Sequence, residues 1–87
     1  MSWYKTAVYF TADEARRIGE RIGIDWDTAK FTVEEFKRGL RVEMEHGTRD
    51  PRTNVTGNNR EKTGKIAWAH LLEDPKYYTK LRRIHPD

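Results

Sequence analysis

The chain writes the same helix start twice. Phe10-Thr11-Ala12-Asp13-Glu14 and Phe31-Thr32-Val33-Glu34-Glu35 each place a threonine behind a phenylalanine and three residues ahead of a glutamate. In such a capping box the threonine hydroxyl accepts from the amide of the glutamate, and the glutamate reaches back to the threonine amide. Phe31 is also placed to staple onto Phe36. The first predicted helix carries Ala15, Ile18 and Ile22 on one face and stops at Gly23. Ile24 and Trp26 then plug the core from a connector. The second carries Val33, Phe36 and Leu40 and is expected to end at Gly47. A third helix starts near Asn58 or Asn59 and runs to about Leu72. Asp74-Pro75 caps a fourth, with proline at its first position and Tyr77, Tyr78, Leu81 and Ile84 facing inward. Lys80, Arg82, Arg83 and His85 crowd the end of that helix, where the dipole favours cations.

These elements predict an all-α fold: a compact bundle of about four short helices, with one long ordered loop between helices 2 and 3. Eighty-seven residues make one domain, read as an extended arm over 1–10 and a single helical domain over 11–87. A charged fraction of 36% matches the hydrophobic fraction, which alone would suit disorder, but three Trp, four Tyr and three Phe supply bulky core material. There is no cysteine, which excludes a disulfide frame, a thiolate metal site and a thiol nucleophile. No apolar run is long enough to span a membrane and residues 1–10 lack a signal-peptide stretch, so a cytoplasmic (or virion-associated) location is expected, with no membrane partner.

Two polar residues fall where apolar ones are expected. Helical spacing puts Glu43 on the stripe of Val33, Phe36 and Leu40. His70 follows Ile66 by one turn, inside the run Ile66-Ala67-Trp68-Ala69-His70-Leu71-Leu72. Buried charges are usually paired, so Glu43, His46 and His70 are read as a buried polar latch between helices, with Glu43 and His70 mostly buried and in hydrogen-bond reach, directly or through one group. Between them, residues 48–60 form a loop broken by Pro51 and Gly57. Its Asn, Asp and Thr side chains favour local turns, and Val55 could anchor it in the core.

The stretches Phe10-Thr11-Ala12-Asp13-Glu14-Ala15, Glu43-Met44-Glu45-His46-Gly47-Thr48, Thr53-Asn54-Val55-Thr56, Thr63-Gly64-Lys65-Ile66-Ala67, Ala69-His70-Leu71 and Pro75-Lys76-Tyr77-Tyr78 together resemble an uncharacterised small-domain family of unknown function found in bacteria, archaea and tailed phages. The resemblance covers roughly residues 10–82. It implies a phage-related setting and brings no activity with it.

Three other chemistries have candidate residues. Glu43 and His46, and His70 and Glu73, are each three apart and share a helix face, an arrangement by which helical bundles hold divalent metals such as zinc. Arg49, Arg52 and Arg60 lead into Thr63-Gly64-Lys65, a possible anion site at a helix start. It is not a P-loop, because Asn59 stands where the pattern needs glycine and Ile66 where it needs Ser or Thr. Gly64 is equally explained by close approach of another helix or of the Trp26 ring. Nucleic acid would use Arg16, Arg17, Arg21, Lys37, Arg38, Arg41, Lys80, Arg82 and Arg83. A net charge of +3 is compatible with that partner without arguing for it. No reaction type is fixed by His46, His70 and Glu43. The expectation is therefore a non-enzymatic binding module without a cofactor, engaging a protein partner through the 46–65 surface. The alternatives are a metal- or phosphate-binding domain and a nucleic-acid accessory protein.

Overall fold

The computed structural model describes residues 9–49, 52, 57 and 59–84. Four helices follow one another: α1 (Ala12–Ile22), α2 (Val33–Arg49), α3 (Arg60–Glu73) and α4 (Tyr77–Ile84). There is no strand among the described residues. Helices α1, α2 and α3 pack on one another, and α4 lies across α2 and α3. The expected loop order, its Val55 anchor, and the arm up to Val8 fall outside the described residues.

The helix starts are set locally, and so is the end of α1. The capping box of α1 is complete: Glu14 N–H donates to Thr11 Oγ1 at 3.0 Å and Thr11 N–H to Glu14 Oε1 at 2.9 Å. That backbone donor, more than anything else, holds the Glu14 carboxyl below the usual glutamate range. Gly23 ends α1 in the left-handed region, with φ of 113°, and its N–H satisfies the carbonyls of Gly19 and Glu20. Asn59 caps α3, its Oδ1 accepting from Lys62 N–H at 2.9 Å. Pro75 sits in the turn feeding α4 rather than inside the helix, while Asp74 Oδ1 accepts from Lys76 N–H.

Two expectations need correction. α2 runs through Gly47 to Arg49, because Gly47 is buried within the helix; the positive-φ glycines among the described residues are Gly23 and Gly57. The second capping box is half made. Thr32 Oγ1 accepts from Glu35 N–H at 3.1 Å, but the Glu35 carboxylate turns away from Thr32 toward α4.

The core follows the expected stripes. Ala15 and Ile18 of α1 meet Phe36, Leu40 and Met44 of α2, Ala67 and Leu71 of α3, and Tyr78 of α4. Ile24 and Phe31 close it from the connector, and Phe10 closes it beside the start of α1. Full burial of side chains this size is worth about 1.5–3 kcal/mol each. Trp26 meets Phe31 and Phe36 edge-on at 5.7 and 5.6 Å, and its indole N–H donates to the Arg16 carbonyl. α2 and α3 approach closely because Gly39 faces Ala67, with the Tyr78 ring beside both.

That approach makes a specific prediction. An added Cβ at Gly39 would lie 2.5 Å from Tyr78 Cε2 and 2.9 Å from Ala67 Cβ, neither of which can swing aside. Alanine gains about 1 kcal/mol of helix propensity, yet overpacking of this kind costs about 1–3 kcal/mol. Gly39→Ala should therefore lower the urea midpoint; a midpoint raised above wild type would contradict the packing described.

Candidate functional site

Glu43, His46 and His70, read from the sequence as a buried latch, lie near one another, but the residue that bonds to Glu43 is a different one. Period and packing place Glu43 at the edge of the inner face of α2, with its side chain 13% exposed. The Tyr78 hydroxyl donates to Glu43 Oε2 at 2.7 Å. His70 Nε2 lies 3.6 Å from the same oxygen and His46 Nδ1 4.0 Å from Oε1, ion-pair distances too long for direct hydrogen bonds. Glu43, His46 and His70 thus come together, but the strong bond runs from Tyr78. Burial, and then the neighbouring carboxylate, push the Tyr78 hydroxyl far above its ordinary pKa, so it remains the donor. His70 is 35% exposed, not fully buried, and its ring stacks on Tyr77 with centroids 4.3 Å apart and planes within 5°. The Tyr78 ring meets both edge-on. His46 is 55% exposed at the rim.

A second buried carboxylate carries more. Glu35 is 4% exposed and accepts from Thr79 N–H at 2.8 Å, from the Thr79 hydroxyl at 2.5 Å and from the Arg38 guanidinium at 3.1 Å. Sequence reasoning assigned Glu35 to its own helix cap and missed Thr79. The available sign was the hydroxyl in Tyr77-Tyr78-Thr79, placed where the fourth helix turns inward. Together Glu35 and Glu43 fasten α4 to α2 at consecutive residues. Among the described buried side chains, no nitrogen or oxygen lacks a partner.

The other candidates are dispersed. Among the described residues no three His, Asp or Glu side chains gather as a metal site, and Glu73 is exposed. Thr63 and Gly64 are not presented to an anion, because α3 has already begun at Arg60. The Thr63 hydroxyl donates back to the Asn59 carbonyl at 2.7 Å, and Gly64 is covered by Ile18, Ile22 and Phe36. Close helix approach therefore explains Gly64, while Trp26 lies against Gly19 instead. Arg60 turns to Glu14 at 3.5 Å and lies over the Phe10 ring. Arg52 and Lys65 are exposed, and the Arg49 side chain falls outside the described part.

Most of the basic residues offered for nucleic acid are bridged to acids. Arg17 meets Asp13, Arg21 meets Glu61, Lys37 meets Glu34, Arg38 meets Glu35, Arg41 meets Glu45, and Lys80 meets Asp74. The face of α3 turned away from the bundle differs. Lys62, Lys65, Ala69 and Leu72 recur at three- and four-residue spacing, all exposed, with Leu72 at 68%. Trp68 and Ile66 flank this stripe half-buried.

Residues 15–86 match a family model described as "Protein of unknown function (DUF5661)". The chain belongs to that family. Among curated proteins and among solved structures, none matches it. In this DUF5661 chain the matched span contains every member of the α4 fastening: Glu35, Arg38, Glu43, His70, Tyr77, Tyr78 and Thr79.

The fastening predicts an order of stability losses. Glu35→Ala strands Thr79 N–H and Arg38 and should cost about 3 kcal/mol. Glu43→Ala removes one strong bond and should cost about 2 kcal/mol. His46→Ala, at an exposed rim position, should stay within about 0.5 kcal/mol. Denaturant titration ranks them; a His46→Ala loss equal to that of Glu35→Ala would refute the assignment of roles.

Proposed function

We propose that this chain is a small non-enzymatic binding module that docks a protein partner. The observation that carries the reading is the outer face of α3. It keeps Leu72 and Ala69 in solvent, whereas the solvent faces of α1 and α2 carry ion pairs. The groups with reactive chemistry support the same reading from the other side. Glu35 and Glu43 accept hydrogen bonds from α4 and fasten it to α2. The half-exposed His70–Tyr77 stack adds an aromatic edge of the kind enriched at interfaces. The expected surface over 46–65 is extended by this reading onto the outer face of α3. A phage-related, cytoplasmic or virion-associated setting is part of the same proposal and is supported by the resemblance above.

Metal binding is the second reading. Its support is that the two Glu43 oxygens face one imidazole each, at 3.6 and 4.0 Å. Stoichiometric Zn²⁺ is expected to leave the melting temperature unchanged. A ligand of the native state alone would raise it, so a zinc-dependent rise abolished by His70→Ala would favour the metal instead.

The module reading is tested by a photo-crosslinking amino acid placed at Leu72 and, as control, at Arg17. One saturable protein adduct from position 72 and none from position 17 is expected. Equal labelling from both positions would count against the reading.

A further inference from the structure

We infer that the outer face of α3 receives an acidic amphipathic helix of the partner protein, with its carboxylates against Lys62 and Lys65 and its apolar stripe against Ala69 and Leu72. This rests on the binding-module reading and gives it a partner chemistry.

Position on the helix comes first. Thr63, Gly64, Ala67 and Leu71 turn into the bundle, which leaves Lys62, Lys65, Ala69 and Leu72 along the opposite side as one continuous stripe. Spacing of three and four residues is the spacing with which one helix lies along another. The small Ala69 beside Leu72 lets a second backbone come close.

Charge selects the partner. Arg17, Arg21, Lys37, Arg38, Arg41 and Lys80 each have an acid beside them, at 2.7 Å for Arg17–Asp13 and 2.8 Å for Lys80–Asp74. Lys62 and Lys65 are exposed with no such neighbour among the described residues, and the nearby Glu61 is engaged by Arg21. Carboxylates arriving on a partner would meet two uncommitted ammonium groups, a complementarity that steers encounter and fixes orientation. Glu73 lies at the other end of the same side of α3. It repels an acidic segment there, so the acids of the partner belong over the N-terminal half of α3 and its apolar residues over Ala69 and Leu72. Glu73, exposed at the far end of the stripe, also disfavours an anionic bilayer, which would cover the whole face.

The face is built in advance. Gly64 is seated against Ile18, Ile22 and Phe36, and the Trp68 ring end rests by Gly23. A fixed backbone reduces the ordering needed on binding.

The test uses the full ¹⁵N-labelled chain and a synthetic helix with Leu and Ala on one face and Glu on its flanks. Two comparison probes are the same helix with Lys in place of Glu and vesicles of mixed phosphatidylglycerol and phosphatidylcholine. Amide shifts confined to 61–73 are expected with the Glu helix, together with weakening by salt. Leu72→Ser and Lys65→Glu, both at exposed positions, should each weaken binding about tenfold while leaving the melting temperature near wild type. The Lys helix should not bind. No binding of the Glu helix, equal binding of both helices, shifts centred on Arg82 and Arg83, or binding of vesicles alone would each overturn the inference. Should the crosslink from position 72 capture a partner whose contacting segment is neutral or basic, the module reading stands and the acidic-helix inference falls.

Discussion

Glu35 is the constraint on which the placement of α4 depends. An eight-residue helix such as α4 has too few turns to persist alone in water. It is held because a buried carboxylate on α2 accepts from both the backbone N–H and the hydroxyl of Thr79, while Arg38 supplies the compensating charge. A carboxylate taken out of water needs such donors, and charge-assisted bonds of this kind are stronger than neutral ones. Placement of Thr79 then places its neighbours. Tyr78 drops beside Gly39 and Ala67 and reaches Glu43, and Tyr77 comes to lie flat on His70. The aromatic and imidazole groups of the site are consequences of this anchorage, one residue after another along a single helix turn.

Local chemistry made much of the fold legible. Thr11 with Glu14, Gly23, Asn59 and Asp74 each act within a few residues of themselves, so their roles could be read without tertiary knowledge. The stripe of Phe36 and Leu40 was legible for the same reason. Glu35 was not, because its local role was already satisfiable: Thr32 takes the Glu35 amide whatever the carboxylate does. The carboxylate went to Thr79, 44 residues away, which offers two donors in a dry place where the Thr32 amide offers one. Glu43 shows the reverse case. Its misplaced polarity announced an internal partner, and the imidazoles at helical spacing looked like the natural ones. The Tyr78 hydroxyl took the bond because it approaches along the buried side, leaving His46 and His70 at longer range on the exposed side.

Thr63 and Gly64 turn inward for a related reason. Thr63-Gly64-Lys65 looks like a loop delivering donors to a helix start, but Asn59 starts the helix one turn earlier. Within a helix the Thr63 hydroxyl returns to a carbonyl four residues back, a common fate of threonine there. Glycine at 64 then serves packing alone.

α3 shows where periodicity stops deciding. From Ile66 to Leu72 nearly every residue is apolar, so no phase of the helix stands out and its buried side cannot be chosen from hydrophobicity alone. Size decides instead: Gly64 and Ala67 let α1 and α2 come close, and Leu71 continues that line into the core. Neighbouring helices cover only that side. Leu72 and Ala69 are therefore apolar without being core. Residues that the fold does not need, on a helix whose backbone the fold fixes, are free to be shaped by something outside the chain. That separation between a scaffold fastened by Glu35 and Glu43 and a face owed nothing by the core is the physical ground for reading the protein as a binding module.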